Sequence, residues 1–121
     1  MKILVAEDFP INQHVISIML SNLGHTFTIA ENGQVAIDLF LKDEYNLVLM
    51  DLQMPVVDGI ECIKYIRNHE KQNNLPRIPI VALTAQVYDN EEEFCKEIGT
   101  NGFLSKPVKL DILKAVLDRF S

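Results

Sequence analysis

Asn46-Leu47-Val48-Leu49-Met50-Asp51-Leu52-Gln53-Met54-Pro55-Val56-Val57-Asp58-Gly59 is the stretch that decides the fold. Four consecutive apolar residues between polar neighbours predict a strand covered on both faces, as at the centre of a parallel sheet. Asp51 stands at its carboxyl end, the edge at which open α/β sheets gather ligands and chemistry. Pro55 cannot donate to a strand ladder and Asp58-Gly59 is turn chemistry, so the chain leaves the sheet here as a loop.

Working outward, residues 1–6 predict a first strand, ended by Glu7-Asp8. Phe9-Pro10 opens a helix, with proline tolerated in the first turn. Ile11, Val15, Ile18, Met19 and Leu23 recur at helical spacing and predict its buried stripe; Asn12, Gln13, Ser17 and Ser21 face elsewhere, and Gly24 closes it. Residues 25–30 predict a second strand, and Glu31-Asn32-Gly33 turns into a helix with Val35, Ala36, Leu39 and Phe40 inward. A third helix over about 58–70 buries Ile60, Ile63, Ile66 and Cys62, and a polar loop follows. Residues 80–83 form a fourth apolar strand ending at Thr84; 87–98 predict an acidic helix closed by Gly99; 102–105 a fifth strand ending at Lys106-Pro107. Leu110, Leu113, Val116, Leu117 and Phe120 mark a last helix. Strand then helix, five times over, implies an α/β fold: a doubly wound parallel sheet with right-handed crossovers.

The topology carries the chemistry. Glu7-Asp8, Asp51, Thr84 and Lys106 all lie at carboxyl ends of strands, so three carboxylates, a hydroxyl and an ammonium meet at one edge of the sheet. Two like charges about 4 Å apart cost about 4 kcal/mol at an effective dielectric of 20, so clustered acids need a cation, and Lys106 offsets one charge only. Oxygen donors suit Mg²⁺ rather than zinc. An acidic pocket holding Mg²⁺ becomes a site for phosphate oxygens, to which Thr84 donates a hydrogen bond and Lys106 offers a point charge. Asp51 is the candidate nucleophile for an aspartyl-phosphate.

Leu4-Val5-Ala6-Glu7-Asp8, Met50-Asp51 through Asp58-Gly59, Ile80-Val81-Ala82-Leu83-Thr84-Ala85 and Leu104-Ser105-Lys106-Pro107, in this order and spacing, resemble the receiver domain of the response-regulator family of two-component phosphorelays. The resemblance spans essentially residues 1–121, read as one receiver domain, and implies a flavodoxin-like (βα)5 fold with strand order 2-1-3-4-5. It also implies that Asp51 accepts a phosphoryl group from a phosphohistidine on a histidine kinase or histidine phosphotransfer domain. Asp8, Asp51 and the backbone carbonyl of Gln53 would hold Mg²⁺, or Mn²⁺ in its place, with Glu7 supporting through water. Thr84 and Lys106 would engage the phosphoryl group. Phe103 would be the aromatic switch that reshapes the fourth helix, fifth strand and fifth helix for a downstream partner or fused output domain. Gln53 and Gln86 stand where phosphoryl lifetime is tuned. Phe103 departs from members with a hydroxyl there. Gln53-Met54-Pro55 with Phe9-Pro10-Ile11-Asn12-Gln13 is most similar to receivers fused to hybrid sensor kinases.

Other functions fit less well. A phosphatase working through an aspartyl-phosphate wants Asp-x-Asp, whereas Gln53 cannot deliver a proton, so this domain alone is expected to be no enzyme beyond its own phosphorylation and dephosphorylation. A flavin or nucleotide binder wants a glycine- or hydroxyl-rich loop after the first strand, and Glu7-Asp8-Phe9-Pro10 repels bare phosphate. A degenerate receiver, binding partners without phosphorylation, would not need all five residues. The 121 residues suit one domain, and 48% apolar residues supply its core. A net charge of −6 disfavours nucleic-acid binding. No apolar run is long enough to span a membrane, and residues 1–6 meet Glu7-Asp8 too early for a signal peptide, so the domain is expected in the cytoplasm, free or tethered to a membrane sensor kinase. Cys62 and Cys95 are expected as free thiols, and His14, His25 and His69 are too scattered for a metal site.

Overall fold

The computed structural model describes residues 1–85 and 90–121, with Glu91 described by its backbone alone. Five strands and five helices alternate: β1 Lys2–Ala6, α1 Pro10–Asn22, β2 Thr26–Ala30, α2 Gly33–Lys42, β3 Leu47–Asp51, α3 Gly59–Gln72, β4 Ile80–Thr84, α4 Glu91–Ile98, β5 Gly102–Ser105 and α5 Leu110–Arg119. All pairings are parallel and the order is β2-β1-β3-β4-β5. Every residue of β3 and β4 is buried, as expected for central strands roofed on both faces. Alternation along them feeds two cores. Val48, Met50, Ile80 and Ala82 face α2, α3 and α4, while Leu47, Leu49, Val81 and Leu83 face α1 and α5.

Local chemistry sets the helix ends. The side chains of Asn32, Asp58 and Asn90 cap α2, α3 and α4 by accepting the N–H of Val35, Glu61 and Glu93 at 2.9, 2.9 and 3.1 Å. Gly99, at φ +90°, closes α4 in the left-handed region that glycine adopts without cost.

The sequence reading of α1 needs correction. Ile16 and Leu20 carry its buried face, with Met19 and Leu23 at the margin, whereas Ile11, Val15 and Ile18 are exposed. An apolar stripe on each of two helix faces gives ambiguous phase, and only the sheet chooses between them. Leu110 of α5 is likewise exposed, leaving Leu113 and Leu117 to anchor the helix, and Ile37 joins Ala36 in the buried face of α2. Helix α3 runs two residues further than expected, to Gln72, where the backbone and side-chain N–H groups of Asn73 both donate to the carbonyl of His69, at 3.1 and 2.9 Å. The expected start of the fourth helix at Val87 lies outside the described residues. Cys62 and Cys95 are free, and the Cys62 thiol, donating to the carbonyl of Gly33 at 3.3 Å, is pushed up to about 11 by burial.

Candidate functional site

Parallel register brings the strand ends together. Ala6 pairs with Met50, Asp51 with Leu83 and Thr84 with Ser105, so Glu7-Asp8, Asp51, Thr84 and Lys106 emerge side by side at the carboxyl edge. One carboxylate oxygen from each of Glu7, Asp8 and Asp51 lies within 4.8 Å of the other two. Glu7 is fully buried and Asp51 nearly so, while Asp8 is the most open of the three.

Lys106 crosses from β5 to this cluster. Its ammonium donates to Asp51 Oδ2 at 2.8 Å and stands 3.3 Å from Glu7 Oε1. Burial opposes its charge, but the hydrogen bond and charge of Asp51, with Glu7 behind, hold its pKa above the ordinary lysine value. Asp51 Oδ1 accepts the backbone N–H of Gln53 at 3.0 Å, and Glu7 Oε2 accepts that of Asp8, also at 3.0 Å. Glu7 Oε1 is buried without a hydrogen-bond partner. Burial first, then the hydrogen bond and charge of Asp51, push the Glu7 carboxyl up to about 7. One ammonium does not satisfy three acids.

An oxygen-liganded divalent cation fits what is left over. The donors are all oxygens, one of them is a buried carboxylate oxygen that faces the Lys106 ammonium at 3.3 Å but accepts no hydrogen bond, and the acid charge exceeds the local positive charge. Among the described residues this is the one cluster of three or more acidic, histidine or cysteine ligands that could hold a metal.

Thr84 is nearly buried at the end of β4. Phe103 pairs in register with Ala82 and is partly buried, its ring stacked on Phe94 of α4 at 5.6 Å and 18°. Gln53 is exposed beside Asp51, and Gln86 lies outside the described residues.

Two features of the site escaped the sequence reading. Gln13 of α1 donates from its side chain to the backbone carbonyl of Glu7 at 2.6 Å, and Asn12 beside it acts to lower the pKa of the Glu7 carboxyl against the larger upward effect of burial. Two amides in the first turn of the helix that follows an acid pair were the available signal. The other is the role of two glycines: a Cβ at Gly59 would stand 2.0 Å from the carbonyl oxygen of Asp51, and one at Gly33 would stand 1.9 Å from that of Val57.

Residues 3–118 match the profile of the response regulator receiver domain. The chain belongs to that family. It is 46% identical over 125 residues to the osmosensing histidine protein kinase SLN1 of Saccharomyces cerevisiae, covering 98% of this chain and 10% of that protein. The chain spans between 5% and 15% of the length of the curated histidine kinases it matches here. Among solved structures, it resembles a co-crystal of the Saccharomyces cerevisiae histidine phosphotransfer signalling protein Ypd1 with the receiver domain of its downstream response regulator Ssk1. That match has a TM-score of 0.91 at 34% identity, covering 99% of this chain and 88% of the other. A sensor histidine kinase receiver domain from Pseudomonas aeruginosa, with a magnesium ion coordinated in its active-site cleft, matches at a TM-score of 0.86 and 38% identity, covering 98% and 95%. This is thus a phosphorelay receiver domain with the flavodoxin-like topology. None of its helices, among the described residues, is long and apolar enough to cross a membrane.

Proposed function

We propose that Asp51 of this receiver domain accepts a phosphoryl group from a phosphohistidine on a histidine kinase or histidine phosphotransfer domain, in a Mg²⁺-dependent step. A carboxylate oxygen of Asp51 forms the bond to phosphorus as the bond to the imidazole nitrogen breaks, and that electron pair returns to the imidazole. The convergence of three carboxylates and one ammonium within hydrogen-bonding reach supports this reading most.

The residues divide the work. Lys106, already on Asp51 Oδ2, is placed to follow the oxygen into the acyl phosphate and pair with the transferred group. Asp8, Asp51 and the backbone carbonyl of Gln53, with Glu7 supporting through water, would hold a divalent ion, whose charge would neutralise the acids and the phosphoryl oxygens alike; Mn²⁺ shares these donor preferences. Thr84 donates its hydroxyl to the phosphoryl group. Phe103, in register with β4 and stacked on α4, turns when Thr84 is drawn toward the phosphoryl group, which alters the α4–β5–α5 surface read by a downstream partner or fused output domain. Gln53 and Gln86 set how long the acyl phosphate survives. The domain turns over no external substrate. Similarity to the receiver regions of histidine kinases supports the reading that it works as part of a hybrid kinase, in the cytoplasm, free or tethered to a membrane sensor.

Incubation with acetyl phosphate and Mg²⁺ should add one hydroxylamine-labile phosphoryl group, counted by intact mass. Asp51→Asn should take none. Labelling that persists in Asp51→Asn, or steady turnover of a generic phosphate ester by the wild-type chain, sinks the proposal.

A further inference from the structure

Positive charge is gathered on one side of this acidic molecule. The chain carries a net −6, yet five of its eleven lysines and arginines, Lys64, Arg67, Lys71, Arg77 and Lys96, line a cleft of about 360 Å³ between α3, α4 and the loop after α3, with one acid, Glu97, on its wall. Lys64, Arg67 and Lys71 follow one another at spacings of three and four on α3, which puts like charges side by side on one helix face, an arrangement that destabilises a helix. Burial lowers the Arg67 pKa most, Glu70 opposes it, and the nearby Arg77 charge lowers it further.

The fold uses one of these cations fully. Arg67 donates to the carbonyls of Gly99 and Ile78, to Asn101 and to Glu70, which ties α3 to the turn after α4 and to the segment before β4 and fixes the floor of the cleft. Among the described residues Lys64 and Lys71 make no ion pair, and Lys96 has Glu92 at 3.8 Å with both side chains exposed, a contact worth little. Arg77 is exposed and reaches the Gly99 carbonyl at 3.3 Å. Lys71 and Lys96 stand in the last turns of α3 and α4, where a cation offsets the helix dipole, but Lys64 is in mid-helix and Arg77 in the loop, beyond that effect. Beside the cleft, Leu75 is 48% exposed and shares an adjoining hollow of about 290 Å³ with Arg67, Lys71 and Arg77, so the basic surface runs into an apolar one.

From this we infer that the cleft between α3 and α4 docks an acidic peptide segment of a partner protein, one in which aspartates or glutamates flank a leucine-like side chain. The carboxylates meet Lys64, Lys71, Arg77 and Lys96, and the apolar side chain lies on Leu75. Charge complementarity selects an anion, and the kind of cation selects a peptide. Phosphate groups are best held by arginine forks or converging backbone N–H groups, whereas the Arg67 fork is already taken by protein acceptors and the exposed lysines are mobile point charges. Helix α3 begins at Gly59, against the Asp51 carbonyl, and Lys71 lies twelve residues on, about 18 Å along the helix axis. A partner in this cleft therefore leaves the acid cluster open, and its docking neither needs nor blocks the phosphoacceptor chemistry proposed above.

The test titrates the ¹⁵N-labelled chain, at roughly 50 mM salt where exposed charges are little screened, with a short peptide of glutamates around a central leucine. The controls are the same peptide with glutamine for glutamate, and sodium pyrophosphate. Backbone amide shifts should be confined to the cleft, over about residues 64–77 and 96–99, and higher salt should weaken binding. Lys64→Gln combined with Lys71→Gln should weaken it about tenfold, as two exposed charge contacts are lost, and Lys96→Gln on the opposite wall and Leu75→Ser should each weaken it as well. These variants should melt within about 3 °C of wild type and label from acetyl phosphate at the wild-type rate. Absence of shifts, shifts scattered over the chain, or equal binding by the lysine variants or by the glutamine peptide overturns the inference. So does pyrophosphate that binds the same residues more tightly than the peptide, which would make the cleft a phosphate site.

Discussion

Replacing Glu7 with glutamine, in buffer free of divalent ions, should stabilise this domain most above neutral pH and by less than about 1 kcal/mol near pH 5. Glu7 is fully buried, with Asp51 alongside, and together these outweigh the Lys106 ammonium at 3.3 Å and move its carboxyl from 4.5 to about 7. Below 4.5 the folded and unfolded chains both hold the proton. Between 4.5 and 7 the unfolded chain loses it first, so the folded state binds more protons and stability falls as pH rises; above 7 the loss is complete. At roughly 1.4 kcal/mol per decade the full loss is about 3 kcal/mol, a large share of the stability of a small domain. The substituted glutamine would carry no charge, and its amide keeps the size of the carboxyl. His25 titrates in the same window with the opposite sign, since burial and the neighbouring amino terminus lower its pKa, so the difference between the two chains is the readout rather than either slope. Urea unfolding in EDTA from pH 5 to 8.5 should show Glu7→Gln gaining up to about 3 kcal/mol over wild type at the alkaline end. Adding Mg²⁺ at about a hundred times its Kd should return about 2.7 kcal/mol to the wild-type chain and close the gap. Two curves that stay parallel from pH 5 to 8.5 in EDTA would show that Glu7 is ionised throughout and that the account of the acid cluster is mistaken.

Two further outcomes follow from packing around the same frame. Gly59→Ala would place a Cβ 2.0 Å from the Asp51 carbonyl oxygen, and backbone on both sides must shift; a cost of roughly 1–3 kcal/mol in urea midpoint, with slower labelling by acetyl phosphate, is expected, and a neutral result would contradict the close approach. Arg67 donates to the carbonyls of Gly99 and Ile78 at 2.8 Å each, to Asn101 Oδ1 at 3.0 Å and to Glu70 Oε1 at 2.9 Å. Arg67→Ala would leave the buried Glu70 with only the N–H of Ile78, at 2.7 Å, and no opposing charge, and should cost roughly 3–5 kcal/mol, because an uncompensated buried charge is worse than none. Arg67→Lys should recover little of it, as one ammonium cannot span four acceptors; full recovery would show that charge alone matters.

Much of the site was legible in the chain. Asp51, Glu7-Asp8, Thr84 and Lys106 could be placed at one edge because apolar runs of four residues end at them, and parallel strands align such ends whatever the loops do between. Helix faces were harder to read. Ile11, Val15 and Ile18 have the spacing of a buried stripe and are exposed, since α1 carries apolar residues on more than one face and periodicity gives a stripe without its direction. Gln13 looked like a solvent residue, yet it holds the carbonyl of Glu7.

Strand order along the chain and the residue type at each strand end were thus properties of the sequence alone, because both depend on local runs of apolar and turn-forming residues. The phase of α1, the burial of Glu70 under Arg67, the proton held by Glu7 and the positive φ of Val56 belong to the tertiary structure. Each depends on which groups residues distant in sequence place within a few ångströms, and local pattern carries no record of that distance.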